Sequence, residues 1–177
     1  MSIPVASIRS AIYTWIKDEL IDTAIGAEKI IWVDQDAPRP SRPYAAMEII
    51  AGPVQVGHDE LREGSQDGSY NVTGNRRLTV TVTLFGNESM ALISRLHSSL
   101  EKPRVRDGLR SRGGLALIQQ EDVQKISLKL ETRIESRHQF DVIFSCVSAV
   151  EDNIGFIKDV LVTNEVSDPD SEFEVET

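Results

Sequence analysis

Apolar residues recur at three- and four-residue spacing over residues 4–24, a pattern that predicts an amphipathic α-helix. The stripe that would face the core consists of Ile8, Ile12, Trp15, Ile16 and Leu20. Pro4 suits the first helical turn, where a missing N–H needs no partner, and Gly26 follows the pattern as a stop signal. The first element is therefore predicted to be a long helix that buries one side.

A second helix is predicted over residues 88–100, where the same spacing recurs. Its core-facing residues would be Leu92, Ile93, Leu96 and Leu100. Asn87 is the predicted N-cap, because its side chain can accept a hydrogen bond from the unpaired N–H groups of the first turn. The helix has to end before Pro103, since proline cannot continue it. A short helical turn is expected within the basic segment, residues 95–112.

The remaining apolar stretches alternate with polar residues, as strands of a half-buried sheet do. The clearest is 76–85, where threonines separate apolar residues. Residues 126–135 alternate in the same way, and residues 139–150 are apolar on both faces, which predicts a central strand. Residues 155–166 are expected to close the sheet. Shorter strands are predicted at 29–33, 44–50 and 114–120.

This order of elements predicts an α+β fold. We expect a mostly antiparallel sheet with the N-terminal helix and the central helix packed on one side. Residues 51–75 hold five of the eleven glycines, with a polar centre and alternating flanks. They predict a long hairpin arm, or a long loop, with a mobile tip, because excursions of this length in a compact domain are usually functional or disordered.

Three prolines stiffen the connection between the first two strands. Pro38, Pro40 and Pro43 each fix their own φ and lack an N–H, so residues 33–43 form neither a helix nor a paired strand. An extended loop loses little entropy when it docks, which favours a docking element whose Arg39 and Arg42 bind partner carboxylates. The alternative is a plain connector whose prolines keep the strand edges from mispairing.

Composition narrows the class of protein. A chain of 177 residues, 40% of them hydrophobic, suits a single domain with a real core. No apolar run approaches the roughly 18 residues that span a bilayer, so we expect no membrane partner. The lone Cys146 excludes an intramolecular disulfide. Together these features indicate synthesis and function in a reducing cytoplasm, or release from one.

The charge is unevenly distributed along the chain. The net charge is −9, a poor basis for gripping nucleic acid. Residues 95–112 nevertheless hold six basic and two acidic side chains, whereas 165–177 hold six acidic and no basic ones. We expect residues 166–177 to be a disordered acidic tail. The two segments can meet different partners, or they can be a solvated face and a frayed end.

Candidate chemistry is sparse. His58, His97 and His138 lack the spacing of metal ligands, and Cys146 lies in the most apolar strand, where a thiol behaves as a small hydrophobe. The sequence contains no nucleophile elbow, phosphate-binding loop or dinucleotide fingerprint. We therefore expect no catalytic residue, no metal and no cofactor. Besides a structural protein, a small-ligand-binding or regulatory α+β domain remains open, which would need a concave apolar pocket.

One segment resembles a known family. "WVDQDAPRPSRPYAAMEI", residues 32–49, is similar to the signature of the neck or tail-terminator proteins of tailed bacteriophages. "VTVTLFG" (80–86) before a helix and "ETRIESRHQFDVIF" (131–144) fit the same pattern. The resemblance covers roughly residues 5–165 and leaves the acidic tail outside. It implies a single tail-terminator-like α+β domain over residues 1–165.

The resemblance implies a non-enzymatic structural protein of the virion, made in the host cytoplasm and located in the neck at the top of the tail. Its subunits would form a homo-oligomeric ring, expected to be a hexamer, that caps the tail-tube protein and ends tube polymerisation. The ring would also meet the sheath protein and the head–tail connector proteins, and DNA would pass through its lumen. A head-completion or connector ring is the nearest alternative.

A ring needs a heterologous interface, in which one patch of a subunit meets a different patch of its neighbour. Stiff, exposed and charged segments are the candidates for such patches. The predicted interface residues are Pro38, Arg39, Pro40, Arg42, Pro43 and Tyr44 of the proline loop, Asp59, Glu60, Arg62 and Glu63 of the arm, and Arg104, Arg106, Arg110 and Arg112 of the basic segment.

Overall fold

The computed structural model describes residues 3–35, 38–63, 69–126, 128–130 and 133–153. The predicted strand 155–166, the acidic tail 166–177 and the tip of the arm at 64–68 lie outside these residues. The helices are α1 (Val5–Leu20), α2 (Ser89–Ser99) and α3 (Pro103–Gly113), with a 3-10 turn at Ala27–Lys29. The strands are β1 (Ile30–Trp32), β2 (Tyr44–Glu63), β3 (Ser69–Phe85), β4 (Ala116–Gln120), β5 (Gln124–Lys125), β6 (Leu128–Leu130), β7 (Arg133–Glu135) and β8 (Arg137–Asn153).

The main sheet confirms the predicted α+β class. Its strand order is β1-β2-β3-β8-β4, and the short β5 also pairs with β8. β1 runs parallel to β2, while the other pairs are antiparallel. None of the helices in the described residues is both long and apolar enough to span a bilayer.

The core lies between one face of this sheet and the helices, and we call this face the helix face and the opposite one the open face. Leu78, Val80, Val82 and Leu84 of β3 are buried on the helix face, as their alternation predicts. The stripe of α1 is buried against them, and the indole Nε1 of Trp15 donates a 2.8 Å hydrogen bond to Ser99 Oγ of α2. The predicted faces of α1 and α2 are therefore confirmed.

Three helix predictions differ from the structure. α1 ends at Leu20, four residues before the predicted end at residue 24. Asn87 does not cap α2: Glu88 holds the cap position without a side-chain bond, and Ser89 N–H donates instead to the Gly86 carbonyl at 3.1 Å. The basic segment forms not a short turn but the 11-residue α3. Its ends follow ordinary rules, because Pro103 lies in the first turn and Gly114 caps the C-terminus with a left-handed φ of 62°.

Two strand predictions are corrected as well. Residues 126–135 are not one strand: β6 and β7 form an antiparallel hairpin, with Leu130 opposite Arg133. Alternation continues unchanged through such a two-residue connection, so periodicity alone does not reveal it. β8 is central, as predicted, but only its helix face is buried. Val147 on the open face is 58% exposed, because the helices pack against the other side.

Candidate assembly surfaces

The predicted hairpin arm is present, and a third strand is added to the two strands of the hairpin. β2 and β3 pair as far as Glu63 opposite Tyr70, and β8 pairs with β3 along its whole length, from Arg137 opposite Phe85 to Asn153 opposite Ser69. The arm is therefore a three-stranded ribbon that continues the main sheet. A third strand makes it stiffer than an isolated hairpin, which is marginally stable in water.

A wide bulge shapes the arm. Val56 pairs with Asn75 and Glu60 with Thr73, so the residues 57–59 oppose Gly74 alone. A Cβ on Gly74 would lie 1.8 Å from Oδ1 of Asp59, which shows that the Asp59 carboxylate occupies the space a side chain would fill. Gly57 has a φ of +75°, a conformation that favours glycine. Two glycines thus permit the bulge and the position of Asp59.

The bulge directs Asp59 onto Arg76 of β3. The guanidinium donates two hydrogen bonds, from Nη1 to Oδ1 at 2.6 Å and from Nη2 to Oδ2 at 2.7 Å. This forked pairing lowers the pKa of Asp59 below its ordinary value. Asp59, a predicted interface residue, therefore forms an internal ion pair with a buried arginine that sequence reasoning did not single out.

Exposed apolar side chains cover both faces of the arm, and we call Val54, Val56, Leu61 and Val147 the arm surface. Leu61 is 61% exposed, and register places it in a row with Val72 and Val150 on the side of the helix face. Val56 and Val147 lie in a row on the open face. Exposed apolar groups clustered in this way mark interaction sites more often than isolated ones do.

The predicted charged residues of the arm are only partly free. Glu60 and Arg62 are exposed and bond to one another, with Arg62 Nη2 2.7 Å from Glu60 Oε2. An exposed pair of this kind contributes little stability, so both side chains remain available to a partner. Glu63 ends β2, and its side chain lies outside the description.

The proline loop is a crossover connection. β1 and β2 are adjacent and parallel, so residues 33–43 have to return along the sheet before β2 can begin. Tyr44 stacks on Phe85, with ring centroids 4.3 Å apart, in a small buried cluster on the open face. Gln35 and Arg39 of the loop line a groove over this cluster. The loop therefore covers part of the open face.

Most predicted residues of the loop have internal contacts or partial cover. Arg42 forms an ion pair with the buried Glu135, and Tyr44 is buried. Pro40 and Pro43 are half-buried. By contrast, Pro38 and Arg39 are exposed, and Arg39 forms no ion pair with any described residue. The connector interpretation thus accounts for the end of the loop, and Arg39 stays a candidate for docking.

The basic segment likewise contains some side chains that are paired within the chain and others that are exposed. Glu19 of α1, only 1% exposed, accepts hydrogen bonds from Lys102 Nζ at 2.7 Å and Arg104 Nη2 at 2.6 Å. Arg106 bonds to Glu101, and Arg112 lies 3.9 Å from Asp18. Arg110 is exposed without an ion pair among the described residues. The segment therefore holds α3 to α1 while leaving charge on the surface.

A serine and a histidine form the arrangement closest to catalytic chemistry. Ser89 Oγ lies 2.9 Å from His138 Nδ1 and 3.2 Å from Ser136 Oγ. Both Ser89 and His138 are buried, and burial lowers the pKa of the imidazole. A nucleophile has to reach its substrate, whereas this pair is enclosed between α2 and β8. Its contacts fix the start of α2 against the sheet.

Comparison with known proteins identifies the family. The sequence profile of the phage neck terminator proteins matches residues 6–170. The chain belongs to this family. The match bears out the resemblance carried by the proline–tyrosine segment, and it assigns the chain a structural role in the phage neck. No individually curated protein matches the sequence.

Proposed function

We propose that copies of this chain assemble into the ring that terminates the phage tail, expected to be a hexamer. The ring caps the last ring of tail-tube protein, ends tube polymerisation and offers the docking face for the head–tail connector proteins, with sheath protein around it. DNA passes through its lumen. The observation that carries the proposal is the three-stranded arm, which presents apolar side chains in the described residues without burying them.

The first support is geometric. In the part of the chain that the structure describes, the side chains of the arm surface stay exposed, whereas a head-to-tail interface would join them to a different patch of a neighbouring copy. Leu61 and Val147 lie on opposite faces of the ribbon, so a neighbour can clasp it from both sides. Such an arrangement gives rings when the rotation between copies closes.

The second support is electrostatic. A net charge of −9 repels phosphate groups, so a lumen built from such subunits lets DNA move without adhering to the wall. Arg39 and Arg110, which are exposed and form no ion pair with a described residue, then suit contacts with acidic protein patches. Both features favour a conduit over a nucleic-acid-binding protein.

Native mass spectrometry tests the proposal, first on the protein alone and then with purified tail tubes. A ring of about six copies, or a monomer that becomes a ring at tube ends, would support it. A monomer that ignores both tubes and connectors would contradict it. Binding to the head connector but not to tube ends would instead indicate a connector ring.

A further inference from the structure

The proline loop is held at each end by an arginine that stacks on an aromatic ring. Arg9 of α1 lies over Trp32, with its Cζ 4.4 Å from the ring centroid, and Arg137 of β8 lies over Phe85 at 4.4 Å. A guanidinium is attracted to the face of such a ring and can stack flat against it. Neither arginine belongs to the loop, so distant parts of the chain determine how the loop starts and ends.

The contacts at the start of the loop join it to α1, and we call Arg9, Trp32 and Asp34 the start clamp. The guanidinium of Arg9 donates two hydrogen bonds to Asp34, from Nη1 to Oδ2 at 2.7 Å and from Nη2 to Oδ1 at 2.6 Å. Such a forked pair fixes direction as well as distance. Gln35 is tied back to Trp32, because its Oε1 accepts a hydrogen bond from the Trp32 N–H at 3.3 Å and its N–H donates to the Trp32 carbonyl at 3.1 Å.

The contacts at the end of the loop join it to the junction of β7 and β8, and we call Arg42, Glu135 and Arg137 the end clamp. Glu135 is only 5% exposed; Arg42 forms an ion pair with it, and Arg137 Nη2 lies 3.8 Å from its Oε2. Phe85, beneath Arg137, also stacks on Tyr44. The last residues of the loop are therefore bound to the sheet through both a carboxylate and a ring.

The middle of the loop, residues 38–41, lies between the two clamps. Pro38 and Pro40 fix their own φ, and each restricts the residue before it, so the chain has few conformations to choose from. Arg39 lies between these prolines, is exposed and forms no ion pair with a described residue. A docking segment that is already ordered loses less conformational entropy when a partner binds it. The clamps can therefore raise the affinity for a partner that they do not touch.

We propose that the start clamp and the end clamp hold residues 38–41 in the conformation that docks on the tail tube. Arg9, Glu135 and Arg137 are then positioning residues, which set the affinity for tube ends through the loop and make no contact with the tube. The inference rests on the tube contact of the proposed function, and it adds the parts of the subunit that prepare this contact.

Spin labelling tests the order of the loop in the full-length protein without a partner. A nitroxide is attached at Ser41→Cys, an exposed position, in a Cys146→Ala background that removes the single native cysteine. Arg9→Ala or Arg137→Ala should sharpen the spectrum, because the label becomes more mobile when a clamp is released.

Arg95→Ala is the matched control. Arg95 of α2 pairs with Asp22 at 2.8 Å, and this pair is about as exposed as the pair of the start clamp but lies away from the loop. Its loss should leave the spectrum of the label unchanged. If Arg137→Ala does not fold, Arg137→Lys replaces it, since lysine keeps a positive charge beside Glu135 and removes the guanidinium plane from Phe85.

Sedimentation with purified tail tubes measures docking by the same variants without the label. Release of either clamp should weaken binding several-fold, and Arg9→Ala should do so at an unchanged melting temperature, while Arg95→Ala binds normally. A label that stays immobile in both clamp variants, or a mobile label with normal tube binding, overturns the inference while the proposed function stands. An unaltered protein that binds no tubes overturns the proposed function and the docking role together.

Discussion

Asp59 and Arg76 meet across the wide bulge of β2, with both carboxylate oxygens bound by one guanidinium at 2.6 and 2.7 Å. The carboxylate occupies the space that a Cβ on Gly74 would fill, so Gly74 permits this geometry. The bulge of the arm is thus held by a directional contact to the buried Arg76. A single carbon atom added at Gly74 would collide with the carboxylate and should alter the shape of the arm.

Gly74→Ala should therefore destabilise the protein, because the added Cβ would displace the Asp59 carboxylate from Arg76. The matched control is Gly108→Ala in α3, where an added Cβ meets nothing within 4 Å. That change should stabilise by about 0.5–1 kcal/mol, because glycine weakens a helix interior. Urea unfolding measures both free energies. Equal effects of the two changes would contradict the account of the bulge.

Asp59→Asn should lower the free energy of unfolding, since the variant loses the charge on the acceptor of the two hydrogen bonds from Arg76. Asp59 has a lowered pKa in the folded protein, so its contribution is present at neutral pH and is lost as acid protonates the carboxylate. Glu60→Gln, one residue away and exposed, is the control and should change little. Unfolding curves at neutral pH and below pH 4 distinguish the two variants.

Burial of His138 predicts a second pH effect. Its pKa is lowered in the folded protein, chiefly by desolvation and further by Lys125, so folding favours the neutral imidazole. Stability is then full above the ordinary pKa of about 6.5 and falls as the pH drops below it. His138→Gln should flatten this dependence between pH 7 and 5. A slope that persists in the variant would assign the effect to another group.

Glu19→Gln should loosen the contact between α1 and α3, because the buried carboxylate accepts hydrogen bonds from Lys102 and Arg104. Hydrogen bonds to charged groups contribute about 1.5–3 kcal/mol, and we expect a loss in that range. Glu28→Gln, at an exposed position, serves as the control. Thermal unfolding of both variants measures the loss. Identical melting temperatures would contradict the predicted contribution of Glu19.

The two arginines of the proline loop should behave differently. Arg42→Ala should lower the melting temperature, because it leaves the buried Glu135 without this partner. Arg39→Ala should leave melting unchanged and weaken binding to tube ends, since Arg39 is exposed and unpaired among the described residues. Tube sedimentation after each substitution measures the binding. Normal binding by Arg39→Ala would remove this residue from the interface.

The arm surface predicts a further contrast. Val147→Asp and Leu61→Asp place a charge where a neighbour would bury an apolar side chain, so ring formation should fall strongly while the monomer stays folded. Ile21→Asp is the control, because Ile21 is 73% exposed at the end of α1, outside the arm. Native mass spectrometry reads out the ring. Loss of assembly by Ile21→Asp alone would relocate the interface.

Local periodicity was sufficient to predict most of the core. The stripe of α1, the face of α2 and the alternation of Leu78 through Leu84 are each determined by neighbours in sequence, and each is found buried as predicted. The hairpin of β6 and β7 escaped prediction because the alternation of residues 126–135 has the same period in one straight strand and in two paired ones.

The candidate surfaces were harder to predict because their charges depend on contacts between distant residues. The sequence around Arg42 suggests a free docking group, but in the structure Arg42 pairs with Glu135, which lies 93 positions later in the chain. Asp59 and Arg76 likewise meet only through the bulge. The sequence did carry one signal of the bulge, which is Gly74. An isolated glycine in a strand often marks a bulge or a close approach of another group.

β3 and β8 pass from the helix-covered core into the arm without a register shift, whereas β2 alone carries the irregularities. The described part of the arm consequently has no hinge on two of its three strands. A neighbour that pulls or twists the end of the arm applies that torque to the sheet beneath the helices. A load applied to the end of the arm would therefore be carried by β3 and β8 into the core of the chain.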